Sequence, residues 1–330
     1  MRLGILAEDI HLQNPAVFAA LTSYYELDFM PRSRYWDSAT LAERCRACDV
    51  VMTGRKSPAL PQELIGNWGQ LRYLCHLHGT IRPYVSKEHI SAGLIVTNWG
   101  NAVEIVAEGA LVLLLCLLKQ VPRLHDYALT NQDQRVYQAY RCTSRGLRVG
   151  VYGLGPIGQH FARLMTALGA QVSFYDPYAQ DYADAWRRCS SLEELFRSNE
   201  AISIHCGLND QTRHSVNRAL LALLPQGGIV VNTARGGIIN EAELAEQVAA
   251  GRLLAGLDVL ENEHDFAASP LAGLPGAIIT RHIISSGKGY PPDQQPPYQL
   301  PELAVENLLA YAHKQPLKFV ITTAMYDLKT

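Results

Sequence analysis

The sequence predicts an α/β protein made of two units built on parallel sheets, and three observations carry that prediction. Short apolar runs alternate with helix-spaced segments along almost the whole chain, the pattern of strand–helix–strand crossovers. A long apolar helical stretch and a polar segment interrupt the alternation near the middle, and a second α/β run begins at Leu147. The 330 residues are also about twice the roughly 150 expected of one domain.

Taken in order, Arg2–Ala7 reads as a strand and Asn14–Leu21 as a helix with Pro15 in its first turn. Tyr25–Phe29 is extended, Ser38–Cys45 has helical spacing, and Val50–Thr53 is a short apolar strand. Leu71–His76 and Leu94–Thr97 are strands on either side of a helix at Ser86–Ala92. Asn101–Gln120 is the longest helical pattern. Its first half carries Glu104 and Glu108 and its second half is apolar all round, which places it in a core or a subunit interface. Residues 126–146 are polar and irregular and read as a connection. The second run offers strands at Leu147–Tyr152, Gln171–Tyr175, Ala201–His205, Ile229–Thr233, Leu254–Val259 and Ala277–Thr280. Between them lie helices at Pro156–Leu168, Ser191–Phe196, Asn217–Leu224 and Glu241–Ala250. Five prolines within Pro291–Pro301 exclude a helix or central strand there, and Glu302–His313 is a final amphipathic helix.

Composition narrows the function. A chain that is 48% hydrophobic and 18% charged has the makings of a packed core rather than of disorder. Twenty-nine basic against 31 acidic residues give a net charge of −2, which offers no electrostatic footprint for nucleic acid or an anionic membrane. Seven cysteines are too few for a disulfide scaffold. Cys45-Arg46-Ala47-Cys48 has no second pair, so two packed thiols are expected rather than a metal site. The apolar run before Glu8 is too short for a signal-peptide core, and the ten residues Gly109–Leu118 are too few for a membrane helix, which needs about 20. The expectation is a soluble, cytoplasmic protein with reduced thiols.

Gly153-Leu154-Gly155-Pro156-Ile157-Gly158 contains G-x-G-x-x-G, a weak signal by itself. Here a buried strand precedes it, a helix follows, and a second strand ends at Asp176, 18 residues after Gly158. That context makes it a dinucleotide-binding turn of the Rossmann type. Gly153 permits the tight turn, Gly155 lets a pyrophosphate approach the backbone, and Gly158 lets helix and strand pack closely. Asp176 can accept hydrogen bonds from an adenosine ribose diol, and no Arg follows it at once, which favours NAD over NADP.

Three strand ends carry further chemistry: Arg235 after Val231-Asn232-Thr233-Ala234, Glu261 and Glu263 after Gly256-Leu257-Asp258, and His282 after Thr280-Arg281. In open α/β sheets ligands bind outside the carboxyl ends of the strands, so all three project towards the cofactor crevice. On these stretches, together with Leu71–Asn98, Val106-Ala107-Glu108 and Thr212-Arg213-His214, the chain resembles the NAD-dependent D-2-hydroxyacid dehydrogenases over nearly its whole length.

The resemblance implies a Rossmann-type doubly wound NAD-binding domain over residues 100–300. It also implies a flavodoxin-like substrate or lid domain, discontinuous in sequence, over 1–99 and 301–330, whose closure excludes water. It implies that Arg235 holds the substrate carboxylate, a duty suited to a permanently charged, bidentate guanidinium. His282 is then the acid/base, an imidazole having an unperturbed pKa near 6.5. Glu263 is its partner: the family places this acid five residues after Asp258, which leaves Glu261 solvated. Asp258 meets the nicotinamide carboxamide, and Pro156, Ile157, Cys206 and Thr233 complete the cofactor site. The reaction implied is reversible hydride transfer between NAD(H) and C2 of a 2-keto or D-2-hydroxy acid. The long helix and the segment after it would pack across a two-fold homodimer. A non-enzymatic NAD(H)-dependent binding protein on the same fold is the alternative.

The chain departs from the family in the substrate loop. His78 and Thr80 stand where glycines are usual, around Gly79, and Arg82 stands where an acid or amide is usual. With Arg55 and Lys56 on a neighbouring loop, these residues are either a pocket for a second anionic group on the substrate or a solvated basic rim. Cys206-Gly207 and Ile284-Ser285-Ser286 also differ from the family, and Tyr290 and Tyr298 in the proline-rich segment are candidates for covering the site. His76, His89, His125 and His160 read as structural.

Overall fold

The computed structural model describes residues 1–6, 14–54, 56–98, 103–130, 143–180, 185–284 and 300–326. The chain divides into two compact units, residues 1–101 with 290–330, and residues 102–289.

The first unit is built on five parallel strands: β1 (Arg2–Ile5), β2 (Glu26–Phe29), β3 (Val50–Thr53), β4 (Tyr73–His76) and β5 (Ile95–Thr97), in the order β2-β1-β3-β4-β5. Every residue of β3 and β4 is buried. Alternation sends Val51 and Leu74 to one face and Val50, Met52, Tyr73 and Cys75 to the other, each with its own apolar cluster. Helix α1 (Ser38–Arg46) starts at Asp37, whose side chain accepts the Thr40 N–H at 2.8 Å, and α2 (Lys87–Ser91) starts at Ser86. The predicted helix after Asn14 is a 3-10 helix, Pro15–Leu21. Asn14 closes its first turn tightly, its side chain taking the Ala16 N–H and its carbonyl the Val17 N–H.

The second unit opens with α3 (Val103–Leu118) and α4 (Val121–Thr130), so helix continues into the predicted polar connection; residues 131–142 lie outside the described residues. Ala107, Ala110, Leu113, Leu114 and Leu117 bury α3 in a core with Val149, Val151, Phe161 and Val231. Among the described residues no single helix is long and apolar enough to cross a membrane.

Then follow β6 (Arg148–Tyr152), α5 (Pro156–Ala167), β7 (Gln171–Tyr175), β8 (Arg187–Arg188), α6 (Leu192–Ser198), β9 (Ala201–Ile204), α7 (Arg218–Leu221), β10 (Gly228–Asn232), α8 (Glu241–Ala249), β11 (Leu253–Leu257) and β12 (Ala277–Ile279). The seven strands are all parallel in the order β12-β11-β10-β9-β6-β7-β8. The chain walks outward from β6 to β8 and then crosses to β9 on the other side, which puts the switch point between β6 and β9. The sequence did not predict β8: two arginines carry no strand signature and pair with β7 at an edge, where charge is tolerated.

The chain ends in α9 (Glu302–Ala312) and α10 (Thr323–Tyr326) in the first unit. Leu308 joins the cluster around Leu3, and the Tyr326 hydroxyl donates to the Val85 carbonyl at 2.7 Å. Four residues are too short for a periodic signal, so α10 was not predicted. Tyr290, Tyr298 and the prolines before Leu300 lie outside the described residues.

Candidate active site

Every predicted site residue of the second unit follows the carboxyl end of a strand of one sheet. After β6 comes the glycine turn. Gly153 has φ +92°, and a Cβ there would lie 2.5 Å from the Cys206 nitrogen; a Cβ at Gly158 would lie 2.1 Å from the Gly153 carbonyl oxygen. A Cβ at Gly155, which caps α5, would meet nothing within 4 Å. Two glycines are thus demanded by packing and the middle one by whatever approaches from the open side, where Pro156 and Ile157 begin the helix.

Asp176 ends β7. Its Oδ2 accepts the Leu154 N–H and its Oδ1 the Tyr178 N–H, both at 2.8 Å, which pins the carboxylate against the crest of the turn. Arg188 of β8 donates to the Asp176 carbonyl at 3.0 Å, a cation beside the acid that sequence reading did not place. After β9, burial pushes the Cys206 thiol up to about 12, so it is neutral and not a nucleophile.

The loop after β10 carries Arg235. Asn232, fully buried, braces it: the amide N–H donates to the Arg235 carbonyl at 2.9 Å and the amide oxygen accepts the Ala234 N–H at 3.0 Å. The buried Thr233 hydroxyl has no hydrogen-bond partner among the described residues. At Gly236 a Cβ would fall 2.0 Å from the Leu260 carbonyl carbon, so the Arg235 loop nests main chain to main chain on the loop after β11. Sequence reading missed Asn232 and Gly236; the signal available was a polar residue and a glycine pair flanking the Arg at a strand end.

After β11 come both candidate acids. Glu263 Oε2 lies 2.9 Å from His282 Nδ1, with the two side chains 38% and 35% exposed. Nδ1 faces the acid, so Nε2 is the nitrogen available for proton exchange. Glu261, expected to be solvated, is 38% exposed and engaged as well: it lies 3.2 Å from His214 Nε2, accepts the Glu241 N–H, and gives its own N–H to the Glu241 carboxylate. Its neighbours on adjacent loops explain the difference, and no spacing rule shows them. Asp258 is 2% exposed. Its Oδ1 accepts from the Thr280 hydroxyl at 2.6 Å and from the Ile283 and Ile284 N–H groups at 3.0 and 3.1 Å, and its carbonyl accepts the His282 N–H. The residue assigned to the carboxamide therefore also suspends the turn that bears the imidazole.

The family model for the D-isomer specific 2-hydroxyacid dehydrogenase NAD-binding domain matches residues 111–283. The chain belongs to the D-isomer specific 2-hydroxyacid dehydrogenase family. It is 31% identical to a glyoxylate/hydroxypyruvate reductase of Arabidopsis thaliana over 229 residues, 68% of each chain. It is 34% identical to the D-2-hydroxyacid dehydrogenase (NAD(+)) of Clostridioides difficile over 174 residues, about half (52%) of each. A D-lactate dehydrogenase from Lactobacillus jensenii has the same fold, with a TM-score of 0.75 at 19% identity over 98% of this chain and 100% of that one. This dehydrogenase is thus an NAD-dependent oxidoreductase, and its reaction moves a hydride between NAD(H) and C2 of a 2-keto or D-2-hydroxy acid.

The residues present fit NAD. Gly155 opens onto free space at the head of α5, the Thr233 hydroxyl on the same sheet edge has no partner among the described residues, and the Asp176 carboxylate beside the turn is chemically able to accept from a ribose diol. Among the described residues no group of three or more His, Cys, Asp and Glu side chains could hold a metal ion.

In the first unit, His78, Gly79 and Thr80 of the dehydrogenase form a half-buried loop after β4, tied by the Asn98 amide to the Gly79 carbonyl at 2.6 Å. His76 lies beneath it, 1% exposed, with Nδ1 2.9 Å from the Thr53 hydroxyl and its ring against those of His78 and Tyr84. Burial pushes its pKa down to about 3, so it is neutral. Lys56 is exposed and Arg55 lies outside the described residues. Arg82 turns to the C-terminal α10: it donates to the Tyr326 carbonyl at 3.5 Å and lies 5.9 Å from the centre of that ring.

Proposed function

We propose that Arg235, His282 and Glu263 are the catalytic groups of this dehydrogenase and that its substrate is a short 2-keto acid of the glyoxylate or hydroxypyruvate class. The observation that carries the reading is the His282–Glu263 hydrogen bond at the edge that also holds the glycine turn and Arg235. Bound NADH supplies the hydride. The Arg235 guanidinium grips the substrate carboxylate and draws electron density from the 2-keto oxygen. His282 delivers a proton from Nε2 to that oxygen, and takes it back in the oxidative direction. Glu263 stabilises the protonated ring and fixes its tautomer.

The first unit is read as the substrate or lid domain over residues 1–99 and 301–330. Its His78–Gly79–Thr80 loop, with Lys56, Arg82 and the sequence-predicted Arg55, is proposed to recognise a second anionic group on the substrate. The long α3 and α4 leave Ile105, Val112, Val121, Leu124 and Leu129 between 38% and 70% exposed, a face we assign to a two-fold homodimer. The protein is placed in the cytoplasm, with neither membrane nor nucleic-acid partner.

The test is NADH oxidation on 2-keto acids with and without a terminal anion. His282→Ala and Arg235→Ala are each expected to lower kcat/KM by at least about a hundredfold. Near-wild-type turnover in either variant refutes the role assigned to that residue. Equal kcat/KM for the two substrate sets refutes the second-anion subsite.

A further inference from the structure

Helix α3 carries Gly109 in its interior. A glycine there is less favourable for the helix than alanine, so a buried one calls for a packing reason. The reason is visible: a Cβ at 109 would lie 2.8 Å from Cγ2 and 3.5 Å from Cγ1 of Ile284. Ile284 is the second residue after His282. Its side chain lies against the bare stretch of helix that Gly109 provides.

The turn between Thr280 and Ile284 needs such a seat. Arg281 and His282 have φ of +56° and +59°, two consecutive left-handed residues that are not glycine. Each is unfavourable and persists only where the surroundings hold it. Three holds are present. The Asp258 carboxylate takes the Thr280 hydroxyl and the Ile283 and Ile284 N–H groups. The Arg281 guanidinium lies over the ring of Phe266, 5.5 Å from its centre and three residues past Glu263. Ile284 rests on α3 at Gly109.

We propose that Gly109 and Ile284 are positioning residues for His282: the glycine sets how deeply Ile284 sits, and that depth sets where the imidazole stands relative to Glu263. Neither residue touches the reacting atoms. A methyl group at 109 drives Ile284 outward while Asp258 still holds the other side of the turn, so the displacement passes to His282. A shift approaching 1 Å in a catalytic group costs up to about a hundredfold in rate.

The inference rests on the role given to His282, so His282→Ala is measured alongside. Gly109→Ala, Ile284→Ala and the double variant are compared for kcat, KM, the pH profile of kcat, NADH binding by fluorescence and thermal melting. Gly109→Ala is expected to melt no lower than wild type and bind NADH within about twofold. Its kcat is expected to fall at least tenfold with an altered pH profile. Ile284→Ala is expected to lose several-fold in kcat with NADH binding unchanged. The double variant is expected to return to within about threefold of Ile284→Ala, because the added methyl then has nothing to push against. Gly109→Ala with wild-type kcat and pH profile overturns the proposal, as does a double variant no more active than Gly109→Ala. If Gly109→Ala does not fold, Ile284→Ala decides alone, and wild-type kcat in it overturns the proposal. Activity in His282→Ala sinks the catalytic reading itself, whereas an inactive His282→Ala beside wild-type behaviour in the other variants sinks only the seat.

Discussion

His76 shows what a single buried side chain asks of its surroundings. Its ring is packed between Thr53, His78 and Tyr84 and its pKa is pushed down to about 3 by burial. In the unfolded chain the same imidazole titrates near 6.5. Between those two values the unfolded state binds a proton that the folded state refuses, so stability is full above about pH 6.5 and drains away as the pH falls towards 3. The slope from this group approaches about 1.4 kcal/mol per pH unit in the middle of that window. Denaturant unfolding at pH 7, 5.5 and 4.5 is expected to show a shallower acid loss in His76→Asn than in wild type. Equal slopes would show that the ring is not held neutral. Glu261 and Glu263 teach a different lesson at the same scale. Counting residues from Asp258 separates the two acids correctly as far as His282 is concerned, since Glu263 is the one beside it. The engagement of Glu261 with His214 and Glu241 is set by loops that meet only in space, and a linear string of letters holds no sign of it.

Among elements, the nested loops after β10 and β11 are the most constrained feature. Gly236 touches the Leu260 carbonyl where a side chain would stand, and neither partner is the movable end of a chain. Gly236→Ala is expected to lower stability by several kcal/mol, and surviving protein to lose activity through Arg235, because the displaced backbone carries the guanidinium with it. A folded variant with wild-type melting temperature and kcat/KM would contradict the nesting. Strands and long helices were legible in the sequence for a plain reason. β3, β4, β9 and β10 are unbroken buried runs, and α5 begins with Pro156 at its first turn. What escaped has equally physical causes. β8 is two exposed arginines held by backbone pairing and by contacts to Glu194, Ser198 and Asp176, α10 is a single turn docked through Tyr326, and α4 prolongs helix through residues whose polarity resembles a linker.

At the scale of the whole molecule, the homodimer we propose rests on the apolar residues left bare on α3 and α4. Leu129, 70% exposed, and Val112, 50% exposed, are costly to leave in water and cheap to cover with a second copy. Val112→Asp together with Leu129→Asp is expected to move the protein from dimer to monomer in sedimentation, with unchanged far-UV circular dichroism; a wild-type protein that is already monomeric removes the assignment. The division of labour within the seven-stranded sheet has a wider meaning. The residues we propose for its chemistry lie just beyond the strand ends, while the strands and helices behind them are apolar and closely packed. Natural variation in such a scaffold has little room around Arg235, where main chain abuts main chain, and more in the half-buried loop after β4, where His78 and Thr80 stand at positions for which the family resemblance implies glycines. A lineage exploring new carbonyl compounds would therefore be expected to write its innovations into that outlying loop and leave the hydride machinery untouched.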